Sequence, residues 1–237
     1  MRFMIAGLDD YRAARLRGEP LHAAHVLSAA HALASIYGSI FGASSLLAAI
    51  LYRITSRHVR LLAKCAGEAP DSARGDLRAL LEWEAAARGR EALRRDRYSG
   101  AHALLWIWRV LAFMHEYMLL QCADDAVLPP PAARAAYDRM LAPYHGAAVA
   151  RISRFALWYV PADRARLYKS FGYTDGGGKP EEVTGLPPDA GFGEVDAAVV
   201  ADLRRCAALL RPLLDDVAAA LAKEGLLFED RSTSVLE

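Results

Sequence analysis

The residue types that could do chemistry cluster in one segment, residues 99–114, which reads SGAHALLWIWRVLAFM. On a helix, Trp106 falls one turn from Arg109 in an otherwise apolar stretch. A flat indole beside a fixed guanidinium can stack on a polar headgroup and donate to it. Downstream, His145-Gly146 opens a second apolar stretch and adds an imidazole. Burying a sugar or phosphate head leaves many donors and acceptors to satisfy, and these three side chains at the mouth of an apolar cavity would meet that need. Taken alone, the same residues also fit a plainer pattern: Trp106 and Trp108 as core aromatics, Arg109 as a snorkelling surface residue, His145 as a polar helix start.

Arrangements that would carry catalysis are missing from the sequence. No serine lies in a Gly-x-Ser-x-Gly setting, and no cysteine has the surroundings of a known nucleophile. No Glu-x-x-His pair suits a dimetal bundle. His22 and His25 lie one turn apart but lack carboxylate or cysteine partners, so they read as helix histidines rather than metal ligands. The run Gly176-Gly177-Gly178-Lys179-Pro180 lacks the Gly-Lys-Ser/Thr ending of a phosphate loop. A protein that is not an enzyme, with no metal and no cofactor, is expected.

The 29 basic and 28 acidic residues nearly cancel to +1, so no global field favours nucleic acid. The basic runs Arg57–Lys64 and Arg88–Arg97 have acidic neighbours and read as solvated helix faces. Hydrophobic residues make up 54% of the chain, dominated by Ala and Leu, which favours helix over sheet. At 237 residues, one domain over 1–237 is expected, with a Gly/Pro-rich surface loop at about 172–193. Cys65, Cys122 and Cys206 show no metal spacing and read as reduced packing thiols, which suggests a cytoplasmic protein. The apolar patch near the first residues is too short for the core of a secretory signal.

Pro20–Tyr52 contains no Asp, Glu, Lys or Arg and is long enough to cross a bilayer. Its histidines, serines and Ala-rich character predict instead a buried helix, or two helices broken near Gly38–Gly42. Arg53–Arg97 reads as two amphipathic helices around the breaker-rich 67–75. A helix over Gly100–Cys122 follows, then one over Ala132–Tyr159 that bends at Pro143, and a last helix over about Val195–Lys223 with a kink at Pro212.

Two segments together resemble the glycolipid transfer protein superfamily. In that family a helix of the form L-L/M-W-L-x-R-x-L-x-F-I presents the tryptophan on which a sugar stacks. Here Leu104, Leu105, Trp106, Ile107, Trp108, Arg109, Val110, Leu111, Ala112, Phe113 and Met114 stand in that order. The family then has A-Y, a spacer, Y-H-G, an A-L and a proline, matched by Ala136-Tyr137, Tyr144-His145-Gly146, Ala156-Leu157 and Pro161. Looser similarity extends to most of the chain.

Two departures stand out. An upstream family helix carries an Asp, then an Asn or a nearby Lys, which grip the ceramide amide and the head. The corresponding Ile40–Ile54 has no carboxylate, Asn or Lys. An ungapped count puts Leu47 and Leu51 at the Asp and Asn positions, and a two-residue shift puts Ser45 and Ala49 there. Ser45 and Arg53 are the remaining candidates for headgroup or amide contacts. In addition, Ala147 stands where glycolipid-transferring members have a Trp that helps dock on membranes, so Trp158 and Tyr159 become the candidates for membrane docking.

The resemblance implies an all-α, two-layer helical sandwich in which the layers meet around a lipid-chain tunnel. It implies non-enzymatic binding, and intermembrane transfer, of a sphingolipid or glycolipid by a peripheral membrane protein. Trp106, Arg109 and His145 would bind the lipid headgroup. The partners would be the lipid and a transient membrane surface, with no nucleic acid. Two alternatives stay open: a divergent member of the fold that binds another lipid or none, and a helical module that binds a protein partner.

Overall fold

The computed structural model describes residues 2–41, 46–124, 127–170 and 191–228, which are all-helical or connecting, with no strand among them. The α-helices are α1 (Arg2–Leu16), α2 (Ala23–Phe41), α3 (Leu46–Glu68), α4 (Asp71–Arg74), α5 (Leu77–Arg88), α6 (Arg90–Arg95), α7 (Gly100–Ala123), α8 (Pro129–Met140), α9 (Ala147–Ala156), α10 (Arg164–Ser170) and α11 (Phe192–Lys223). Single 3-10 turns at Ala142–Tyr144 and Leu157–Tyr159 flank α9.

Two pairs of long helices make the sandwich. α2 packs on α3, and α7 packs on α11. α7 also meets α3 and α8, while α1 joins the layers by touching both α2 and α11. Leu33, Leu62, Leu104, Leu105, Leu210 and Leu213 are fully buried between them, each worth about 1.5–3 kcal/mol of apolar transfer. The charge-free stretch divides into α2 and the start of α3, as one of the two expected forms required, although the junction at 42–45 lies outside the described residues. Gly100–Ala123 is the described helix long and apolar enough to cross a membrane, and 61% of its apolar window is buried inside the fold. It is the central core helix of the sandwich.

Three expected boundaries change. Residues 53–97 form not two helices but the end of α3 followed by α4, α5 and α6, with Gly89 at φ +82° letting α5 and α6 abut. The helix expected over Ala132–Tyr159 is broken rather than bent. Pro143 cannot donate within a helix, the chain passes through a 3-10 turn, and α9 restarts from Gly146 as its N-cap. α8 begins three residues early because prolines tolerate its first turn. Most of the loop expected at about 172–193 lies outside the described residues. Its last residues, Phe192 and Gly193, already belong to α11, where the Glu194 side chain accepts from Gly191 N at 2.9 Å.

Candidate functional site

The start of α7 is fixed by a buried carboxylate. Glu84 of α5 accepts from the backbone N–H groups of Gly100 and Ala101, both at 2.8 Å, and Ser99 Oγ accepts from His102 N at 3.0 Å. These bonds satisfy orphan donors at a helix N-terminus, where negative charge is favoured. A Cβ at position 100 would sit 2.5 Å from Cys65 Sγ. Glycine there is what lets α3 lie against α7. That close approach sets the next contact, between His58 of α3 and Trp106 of α7.

Trp106 is only 7% exposed. The His145 ring lies 5.3 Å from it at 17°, and the His58 ring 6.3 Å from it at 23°. His102 is tilted against the same indole at 6.4 Å. Trp108 faces the opposite way, with its indole N–H donating to Leu214 O of α11 at 3.0 Å, so the two tryptophans divide between site and scaffold.

Arg109 does not snorkel: it is 1% exposed. Its guanidinium lies 3.8 Å from the Tyr144 ring centroid and 5.0 Å from that of Trp106, a desolvated cation–π arrangement. Nη2 donates to Phe228 O at 2.7 Å. One side chain thus ties α7 to the turn before His145 and to the segment after α11. His145 Nδ1 and the Tyr137 hydroxyl are 2.8 Å apart, which holds the ring in place beside Trp106.

Burial pushes the His58 and His102 pKa values down to about 4, with like-sign neighbours adding to the shift: His102 and Arg57 at His58, Arg109 and Arg97 at His102. Burial, then Arg109, does the same at His145, again to about 4. All three imidazoles are neutral at pH 7, so each offers one donor and one acceptor.

Below this ring cluster runs an apolar cavity of about 220 Å³ between α3, α7, α8 and α9. Leu51, Ile54, Val110, Phe113, Leu141 and Leu157 are among its walls, and Trp106 and His145 line it as well. Ile50 and Ile152 line it while remaining exposed, which marks its mouth. Ile152, Phe155, Trp158 and Tyr159 form an exposed apolar group beside that mouth. Trp158 is 66% exposed with Arg134 over its ring at 4.2 Å, and Phe155 and Tyr159 meet edge to face at 5.8 Å.

The candidates from sequence are therefore distributed unevenly. Trp106, Arg109 and His145 come together. Arg53 is exposed on α3 and is not among the lining residues, while Ser45 lies outside the described residues. Ala49 is exposed, and the side chain of Leu47 is not described. Sequence reasoning missed Thr55 and His58. Thr55 lines the cavity and its hydroxyl lies 3.2 Å from that of Tyr37. With Leu51, these residues follow an i, i+4, i+7 spacing that keeps one face of α3 toward α7.

A two-layer helical sandwich enclosing an apolar cavity, with Trp106 and His145 in its wall, defines a class of all-helical proteins built around an apolar space. The sequence profile described as "Glycolipid transfer protein (GLTP)" matches residues 24–173, and the chain belongs to that family. No curated protein sequence matches the chain. Human ceramide-1-phosphate transfer protein, solved in complex with 12:0 ceramide-1-phosphate, is similar at TM-score 0.71 with 15% identity, covering 95% of this chain and 98% of that one. The structure reported as showing how FAPP2 selects simple glycosphingolipids using the GLTP-fold is similar at TM-score 0.70 with 14% identity, covering 89% and 90%. The fungal glycolipid transfer protein HET-C2 is similar at TM-score 0.63 with 19% identity, covering 87% and 92%. At these identities the likeness establishes the fold.

Proposed function

We propose that this protein binds a sphingolipid or glycolipid without altering it covalently and carries it between membranes. The observation that supports this reading is the apolar cavity that ends at Trp106 and His145. Hydrocarbon chains would occupy the cavity, and the head would lie against the indole. Arg109 shapes that end of the site and adds positive charge. In the tautomer in which the Tyr137 hydroxyl donates to Nδ1, the neutral His145 ring would carry its proton on Nε2 and could donate it to a head or amide oxygen. Thr55 and His58 would supply the polar contacts that the upstream helix otherwise lacks.

Family relatives of known structure include one holding ceramide-1-phosphate and one reported to select simple glycosphingolipids. Trp at position 106 favours a sugar over a phosphate, because an indole offers a stacking face and no charge. The exposed group Ile152 and Phe155 of α9 and Trp158 and Tyr159 of the following 3-10 turn, with Arg151 and Arg154 of α9, would rest on the membrane while the lipid passes the mouth. Reduced buried thiols at Cys65 and Cys206 accord with a cytoplasmic location.

A second reading has its own observation. Because His58 and His145 lie along an indole that is only 7% exposed, a sugar can stack only by displacing one of them, and a lipid with a small polar head requires no such movement. Incubation with vesicles containing equal galactosylceramide and ceramide, followed by native mass spectrometry, separates the two. Retention of galactosylceramide supports the first reading, retention of ceramide the second, and a protein that takes up neither refutes both.

A further inference from the structure

Arg134 of α8 lies over the exposed Trp158 indole, its guanidinium carbon 4.2 Å from the ring centroid. The chain neighbours Ala133 and Leu157 both line the apolar cavity. The cation and its ring therefore stand at the surface beside that cavity, within the exposed apolar group at its mouth.

The carboxylates within reach are committed to other arginines. Asp138 stands four residues after Arg134 on α8, a spacing that suits a helix ion pair, but Arg154 of α9 holds it at 2.8 Å. Glu116 of α7 is held by Arg139. Arg134 itself has no hydrogen-bond or ion-pair partner among the described residues: its Nε is enclosed and unbonded, while its two terminal nitrogens reach the surface. Contact with an indole face attracts a guanidinium without using its N–H donors. The terminal fork stays available to an acceptor that can take two parallel N–H groups.

We propose that Arg134, held against Trp158, binds the phosphate of a membrane phospholipid while the protein is docked. The subsite rests on the reading of Ile152, Phe155, Trp158 and Tyr159 as the docking face, and it names the group on the bilayer that this face recognises. Exposed indoles lodge at the level of the lipid headgroups, and the acceptor a phospholipid bilayer presents there is a phosphodiester, whose two free oxygens match the fork. Net charge on the bilayer is not required, because phosphatidylcholine presents the same phosphodiester with no net charge. With the fork anchored beside the cavity, the mouth is held against the headgroups.

The test uses the full chain in flotation assays with two kinds of uncharged vesicle: phosphatidylcholine, and a phosphate-free nonionic bilayer of sorbitan monostearate and cholesterol. The parent is expected to bind phosphatidylcholine about tenfold better, the factor that one charge-assisted hydrogen bond supplies. Arg134→Gln is expected to remove that advantage while leaving binding to the nonionic vesicles, and the Tm, in place. Arg134→Lys, which keeps the charge but not the fork, is expected to restore only part of it. Equal binding of both vesicles by the parent overturns the phosphate subsite and leaves the docking face standing, as does a preference that appears only when phosphatidylglycerol adds net charge. A loss in R134Q that is equal on both vesicles overturns it too, since Arg134 would then serve only to position Trp158. Binding of the parent to none of these vesicles overturns the docking face and the subsite with it.

Discussion

The His145 imidazole lies 5.3 Å from the Trp106 indole and within 17° of parallel, although 39 positions separate them in the chain. The pairing depends on the broken helix. The 3-10 turn at Ala142–Tyr144 and the restart at Gly146 carry His145 back over α7, and the Tyr137 hydroxyl holds its Nδ1. Trp106→Ala removes a surface that no neighbour replaces, since Trp108 is turned to α11. Intrinsic fluorescence should shift on adding galactosylceramide vesicles in the parent and not in W106A. An equal shift in both would reduce Trp106 to a core residue.

Acid should loosen the site. His58, His102 and His145 have folded pKa values near 4 against an ordinary 6.5. Between these values the unfolded chain binds more protons than the folded one, so stability rises with pH through the window and falls on acidification. Tm measured from pH 7 down to pH 4 should decline, and the decline should be shallower in His102→Asn. A profile that is flat in this window, or equally steep in H102N, contradicts neutral burial of these rings.

Arg109 is expected to be structural as well as functional. Its planar fork covers Tyr144 while one nitrogen reaches Phe228 O, and a lysine ammonium cannot do both. Arg109→Lys should lower stability by about 1–3 kcal/mol in denaturant unfolding and should weaken lipid binding further. Unchanged unfolding in R109K would show that the buried fork contributes nothing.

Trp158 and Phe155 are expected to behave in the opposite way. Both are largely exposed, and substitutions at such positions usually alter stability by within about 0.5 kcal/mol. Trp158→Ala with Phe155→Ala should reduce vesicle binding in flotation assays several-fold while leaving Tm in place. Undiminished flotation would move the docking face elsewhere.

The central aromatic helix and the His-Gly restart were legible because both rest on local order: an uninterrupted apolar run around Trp106 and a proline that no helix interior accepts. His58 was not legible. It sits within Arg57–Lys64, a run whose charges suggested a solvated face, and only its i+4 relation to Leu62 and its i+3 relation to Thr55 place it on the buried stripe. Thr55 was hidden for the same reason. The burial of Arg109 depends on Tyr144 and Phe228, contacts far apart in sequence that no helical periodicity reports.

The most direct measurement of the carrier reading is transfer of fluorescent galactosylceramide from donor to acceptor vesicles, followed in parallel for the parent, W106A and His145→Ala. The account expects transfer that scales with protein concentration, accompanied by a one-to-one lipid complex in native mass spectrometry, and reduced at least tenfold in both variants. Transfer by the parent that W106A and H145A leave undiminished would contradict it, and so would a parent protein that neither moves this lipid nor retains any lipid from the vesicles.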